Sequence, residues 1–299
     1  MKKLIVSLVI GLGLGVSSYG AACYENAKEV APAMSDEERY EHSQKLEIAA
    51  REYAGEPTAD NLIWYARRKG YLGKYKDAIE ALTIGIGKFP KDARMYRHRG
   101  HRYITLRCFD DAIADFERAA KLIKGKPDEV EPDGMPNAKN IPTSTLQSNI
   151  WYHLGLAYYL KGDFKRAAAA YKECTAVSKN NDMLAATSHW YYMTLRRLEK
   201  NRDAEKILEP IGGDFEVIEN EDYLKLIRLY RGEVKAEMLT NELGTKAETL
   251  GNASLGYGLG AWYLYNGDRR MAMQIFKKIT AGNQWASFGY IAAEAELKR

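Results

Sequence analysis

A pattern of small and large apolar residues recurs along the chain with the spacing of paired α-helices. Each copy has an aromatic-rich first helix, a short turn and an amphipathic second helix with an alanine near its start. The turn and the alanine occupy residues 73–78, 107–112, 162–167 and 267–272, which read GKYKDA, RCFDDA, GDFKRA and GDRRMA. Ala78 and Ala112 are 34 residues apart, so the first two helix pairs follow each other directly.

Three further positions keep the same phase. The first helix carries a small residue and, three residues later, an aromatic one, while the second carries a large apolar residue four positions beyond its alanine. The small residues are Ala66, Gly100, Gly155 and Gly260, the aromatic ones are Tyr103, Tyr158 and Tyr263, and the large apolar ones are Leu82, Phe116, Tyr171 and Phe276. Lys69 replaces the first aromatic residue. One helix pair cannot cover its own apolar face, so the pattern predicts that the pairs stack.

These residues and their 34-residue spacing resemble the tetratricopeptide repeat, over residues 59–299 with gaps. The resemblance implies an all-α, right-handed superhelix (α-solenoid) of stacked antiparallel helix pairs. A weaker fourth unit is expected at 185–211 and a divergent helix pair at 215–239. Residues 285–297 are predicted to form a C-terminal capping helix whose polar residues face solvent.

Upstream of the repeats, Ser35 and Glu38 have the spacing of a capping box, which predicts an N-terminal helix within 35–58. Residues 1–22 have a charged start, a short apolar run and small residues at the end, as expected of a signal peptide. Export to the periplasm is therefore predicted, with residues 23–34 as a flexible tether.

Cleavage after Ala22 would expose Cys23, the position that is acylated in bacterial lipoproteins. Gly20 stands where those signals usually carry an aliphatic residue, so lipidation of Cys23 and ordinary secretion both stay open. The remaining cysteines, Cys108 and Cys174, are too few for a disulfide framework. They are expected to be unbridged and packed.

The resemblance implies that the first helix of each pair lines a concave groove. Groove positions with polar, cationic or aromatic side chains are predicted to bind the partner. They are Trp64, Arg67, Tyr71, Arg94, Arg97, His98, His101, Tyr152, His153, His189, Trp190 and Arg196. Four of the five histidines of the chain are in this set, and no acidic residue is. We expect such a groove to bind an extended, acidic or C-terminal peptide of another envelope protein, because arginine forms charge-assisted bonds to carboxylates.

Other functions find less support in the sequence. The net charge of +4 is modest, and export disfavours nucleic acid as a partner. His98 and His101 could supply two metal ligands with His153 as a third, but no metal, cofactor or catalytic set is predicted. A small-ligand or carbohydrate-binding accessory protein using the same groove is the alternative, and a deep closed pocket would favour it.

The insertion at 123–144 contains four prolines and cannot be one continuous helix. It also carries Asp128, Glu129, Glu131 and Asp133, whose charge is opposite to that of the predicted groove. We expect the insertion either to fold over the concave face, where it closes one wall or occupies the binding site, or to be an ordinary solvated connection.

Overall fold

The computed structural model describes residues 22–245 and 250–299. Apart from Ala22, the predicted signal peptide lies outside the described residues. The helices before the insertion are α1 (Cys23–Asn26), α2 (Asp36–Gly55), α3 (Ala59–Tyr71), α4 (Tyr75–Lys88), α5 (Ala93–Thr105) and α6 (Phe109–Ile123). Those after it are α7 (Leu146–Lys161), α8 (Phe164–Val177), α9 (Asn181–Arg197), α10 (Asn201–Lys206), α11 (Glu221–Tyr230), α12 (Ala236–Thr245), α13 (Leu250–Tyr265), α14 (Arg269–Thr280) and α15 (Phe288–Leu297).

The helices follow one another as packed neighbours, from α2 against α3 through to α8 against α9, which gives an all-α helical repeat fold. Further along, α13 packs on α9, α11, α12 and α14. No described helix combines the length and the apolarity that a membrane span requires. The predicted capping box is confirmed, since the Ser35 hydroxyl accepts a hydrogen bond from Glu38 N–H and the Glu38 carboxylate accepts one from Ser35 N–H.

The small residues of the repeat pattern bring the two helices of a pair together. A Cβ added to Gly100 would lie 2.9 Å from the ring of Phe116, and one added to Gly155 would lie 2.7 Å from Tyr171. Both rings are fully buried. The sequence pattern therefore correctly paired the small residue of the first helix with the large residue of the second.

The predicted C-terminal helix is present as α15, but it is more buried than expected of a solvent-facing cap. It packs on α13 and α14 and also returns to α7, far away in sequence. The carboxylate of Glu296 is buried, with Oε2 2.9 Å from Nη1 of Arg197 and Oε1 2.6 Å from Nη1 of Arg299. The expectation of a polar face in solvent was wrong for Glu296 and for the half-buried Glu294, which pair with Arg197 and Arg107, whereas Lys298 and Arg299 are exposed as expected.

The segment 23–34 is also packed, so the prediction of a flexible tether was wrong. Tyr24, Ala27 and Val30 lie against the main hydrophobic core. The carboxylate of Glu29 accepts a hydrogen bond of 2.8 Å from the backbone N–H of Lys76. These apolar and polar contacts anchor the segment beside the first helix pair.

A disulfide joins Cys23 to Cys108. The expectation that Cys108 is unbridged was therefore wrong, whereas Cys174 is a free, buried cysteine as expected. Acylation of a cysteine uses the same sulfur atom as the disulfide. A molecule with this disulfide therefore cannot be lipidated at Cys23.

We expect reduction of this disulfide to lower the free energy of unfolding by about 4 kcal/mol, because the crosslink closes a long loop of the unfolded chain. The two cysteines are 85 residues apart. Denaturant unfolding of residues 23–299, with and without reductant, measures the difference. The double variant Cys23→Ser/Cys108→Ser is the control and should not respond to reductant. An unchanged midpoint for the reduced wild type would contradict the expectation.

Candidate functional site

Three of the four predicted groove histidines converge at one place between α5 and α7. The rings of His101 and His153 have centroids 4.8 Å apart, and both contact Phe288 of α15, at 5.4 Å and 5.5 Å. His98 lies one helical turn before His101 and is buried. The start of α15 thus covers this part of the first-helix surface, so the expectation of an open groove here was wrong.

These histidines are neutral at physiological pH. Burial, together with the nearby charge of Arg97, lowers the pKa of His98 well below its usual value, and burial does the same for the pKa of His101. Burial lowers the pKa of His153 to about 3. The positive charge of this region therefore comes from arginines.

His189 lies in a separate cluster and does not share a surface with the other three. Its ring stacks on Tyr223 with centroids 4.7 Å apart, and its Nδ1 is 3.0 Å from the hydroxyl of Tyr230. Trp190 stacks on Tyr257 of α13, and both His189 and Trp190 are buried. The assignment of these two residues to the partner groove is corrected, because α11 and α13 cover this face of α9.

Two arginines of the predicted set have local partners. Arg94 pairs with Asp92 and Asp60, the residues at the starts of α5 and α3. Arg196 donates to the hydroxyl of Tyr192 at 2.8 Å and to the carbonyl of Tyr265 at 3.2 Å. Tyr152 is buried near His153 and Phe288. These three side chains tie neighbouring helices together.

The insertion lies over the region formed by α3, α5 and α7. Oε1 of Glu131 is 3.0 Å from Nη2 of Arg97 and 3.6 Å from Nε2 of His98. Its other oxygen accepts a hydrogen bond of 3.0 Å from Nδ2 of Asn149. All four side chains are buried. The expectation that the insertion carries its acidic charge onto the basic surface agrees with this placement.

Two arginines of α3 hold the next residues of the insertion by their backbone. Nη1 of Arg67 donates to the carbonyl of Pro132 at 2.8 Å, and Nη1 of Arg68 donates to the carbonyl of Gly134 at 3.3 Å. Both guanidinium groups also lie over the ring of Trp64, at 4.4 Å and 5.0 Å from its centre. We call Trp64, Arg67, Arg68, Arg97 and Asn149 the insertion face.

Sequence reasoning missed Arg68, Arg102 and Phe288 as members of this region. Arg68 and Arg102 lie next to the predicted Arg67 and His101, so a broader helix face would have included them. Phe288 comes from α15, and no local pattern indicated that this helix returns to α7.

The described residues contain one group of three potential metal ligands within 4.8 Å of one another, formed by Cys23, Cys108 and Asp111. Its two sulfur atoms are bonded to each other. The disulfide therefore removes the thiolates that such a site would require.

Comparison with known proteins agrees with the repeat architecture. Tetratricopeptide repeat family models match residues 66–128 and 148–181, in the stretch from α3 to the first residue of α9. These matches support tetratricopeptide repeats in this part of the chain, and proteins with such repeats generally act as protein-interaction scaffolds.

Among curated proteins, the BBSome complex member BBS4 of Bos taurus is 30% identical over 142 residues, which make up 48% of this chain and 23% of that protein. The chain thus matches less than a quarter of this relative's length.

Two solved structures have a weak similarity to this chain. YrrB, a tetratricopeptide repeat protein with an unusual peptide-binding site, is 14% identical, with a TM-score of 0.45 over 85% of this chain and 100% of that chain. A tetratricopeptide repeat protein of Parabacteroides merdae is also 14% identical, with a TM-score of 0.48 over 86% of this chain and 96% of that chain.

Proposed function

We propose that the protein is an exported interaction scaffold that binds an extended acidic segment of another envelope protein at the insertion face. The partner segment takes the place that the insertion of the same chain occupies in this structure. Binding, rather than catalysis, is its function.

The docking of Glu131 is the observation that carries this proposal. A carboxylate from an irregular, proline-rich segment is buried between Arg97, His98 and Asn149. Arg67 and Arg68 donate hydrogen bonds to backbone carbonyl groups of the residues that follow. Any extended peptide has carbonyl groups that can accept such bonds. The face therefore combines one charge-selective position with contacts that do not depend on sequence.

Part of the insertion faces solvent. Val130, Met135 and Ile141 are exposed large hydrophobic residues. A tethered segment competes with an effective concentration on the order of millimolar. A partner with the same contacts would lose this competition, so a true partner must add contacts of its own.

Two observations support the proposed cellular location. The N-terminal sequence has the composition of an export signal, and the Cys23–Cys108 disulfide is of a kind that persists in oxidising compartments. We therefore propose that the scaffold meets its partner in the periplasm, without a lipid on the disulfide-bonded form.

The test uses the insertion as a defined probe. Residues 130–143 are replaced by a short Gly-Ser linker, which is feasible because the carbonyl of Glu129 accepts a hydrogen bond of 2.8 Å from the N–H of Leu146. We expect this shortened chain to bind a labelled synthetic peptide of residues 129–143 in fluorescence anisotropy. A peptide with Glu131→Gln should bind at least about tenfold more weakly, because it loses a charge-assisted contact.

Two controls make the result specific. Arg67→Glu in the shortened chain should weaken peptide binding, whereas Arg118→Glu, an exposed arginine of α6, should not. The unshortened chain should bind the peptide more weakly than the shortened one. Equal binding of the wild-type peptide and the peptide with Glu131→Gln, or no binding at all, would contradict the proposal.

A further inference from the structure

A small cavity lies between α3 and α5. Its volume is about 100 Å³, and its polar lining consists of Arg67, Tyr71, Arg97, His98, His101 and Arg102. Arg67 and Arg97 also contact the insertion, whereas Arg102 does not take part in the contacts that hold it. A cavity of this size has room for a small polyatomic ion or a few water molecules.

Positive charge in this cavity exceeds negative charge. Arg97 is paired with Glu131. Arg67 donates to the Tyr71 hydroxyl and to a backbone carbonyl, neither of which carries charge. With Arg102, three guanidinium groups share one carboxylate, and the two lining histidines are neutral because burial lowers their pKa.

Arg102 is the least compensated of these groups. Within residues 22–245 and 250–299 its guanidinium has neither an ion pair nor a hydrogen bond, and its closest aromatic contact is the ring of Tyr75 at 5.7 Å. Burial lowers the pKa of Arg102 to about 10, so the group stays charged at neutral pH. Arg102 is half-buried, and a cation that lacks a counter-charge at such a place favours a bound anion.

Two local features belong to the walls of the cavity. The Nε of Arg97 is buried and finds no acceptor among the described residues. Gly70 makes room for Arg102, since a Cβ at this position would lie 2.7 Å from Nη1 of that arginine. The backbone therefore admits a guanidinium at a place where a larger residue would exclude it.

We propose that this cavity is a binding site for a small oxyanion with two negative charges, of the phosphate or sulfate class. Such an ion balances the surplus of two positive charges and offers several acceptors to guanidinium groups, which match phosphate geometry well. The ion lies beneath the insertion, in contact with Arg67, Arg97 and Arg102. The site adjoins the position of Glu131 and shares Arg67 and Arg97 with it, but the proposal does not rest on partner binding.

The experiment measures inorganic phosphate and sulfate binding to the unshortened chain without its signal, by calorimetry and by thermal unfolding at constant ionic strength. Either ion should raise the unfolding temperature in a saturable way, whereas chloride and acetate should not. Arg102→Met keeps the apolar stem of the side chain and removes its charge. It should weaken phosphate binding at least about tenfold, and it should not lower the unfolding temperature in phosphate-free buffer.

Arg118→Met is the matched control, since Arg118 is an exposed arginine on α6 outside the cavity. It should leave phosphate binding unchanged, and Arg102→Lys should retain part of it. Wild-type protein that gains no more stability from phosphate than from chloride overturns the proposal, even if Arg102→Met fails to fold. The same holds if phosphate stabilises wild type and Arg102→Met equally. The peptide assay with the shortened chain is independent of either outcome.

Discussion

Replacement of Glu296 by alanine is expected to lower the free energy of unfolding by about 3–5 kcal/mol, because it leaves largely buried arginine charge without a partner. The Glu296 side chain is 3% exposed, and its two oxygens pair with Arg197 and Arg299. The Tyr257 hydroxyl donates to the same carboxylate at 3.4 Å. One side chain of α15 thus joins α9, α13 and the end of the chain.

Glu294→Ala on the same helix is the matched control for this prediction. The Glu294 side chain is 25% exposed and pairs with Arg107 alone, so its loss should cost less than the loss of Glu296, about 1–3 kcal/mol. Denaturant unfolding of both variants gives the comparison, and Glu296→Gln should fall between them. Equal destabilisation by the two alanine variants would show that α15 does not close on the repeats through Glu296.

The sequence predicts the parts of the fold that depend on neighbouring residues. Gly155 meets Tyr171 because both belong to one helix pair, and the period of the pattern fixes their phase. The contact of Glu296 with Arg197 joins residues that are 99 positions apart, and no periodic signal links them. From the sequence alone, a polar residue near a chain end such as Glu296 is expected to be exposed, because its distant partner cannot be identified.

The same distinction applies to the candidate site. The phase of the repeat gives the side of a helix on which a residue lies, but not what covers that side. His101 and His153 therefore meet as expected, while α15 lies over them. The sign of the charge on the insertion predicted that it could contact the basic surface.

The spacing of Cys23 and Cys108 in the sequence does not predict their disulfide, since pairing depends on where the N-terminal segment packs.

The second large effect that we expect is a loss of stability on acidification. Burial lowers the pKa of both His153 and His189 from 6.5 to about 3. Below pH 6.5 the unfolded chain takes up these protons, while the folded protein does not until about pH 3. The stabilising contribution is thus fully present above pH 6.5 and decreases as pH falls. Each histidine removes about 1.4 kcal/mol per pH unit.

Between about pH 6.5 and 4.5, His153 and His189 together should lower the free energy of unfolding by about 5 kcal/mol. Burial also lowers the pKa of His98 and His101, which adds to the loss of stability on acidification. Burial raises the pKa of Asp115, so the folded protein takes up that proton more readily than the unfolded chain, and this partly offsets the loss. Denaturant unfolding at a series of pH values measures the slope, and His189→Gln should reduce it by about one proton. A slope that stays flat in this range would mean that the histidine rings are solvated, and the packing of α11 on α9 and of α15 on α7 would then be wrong.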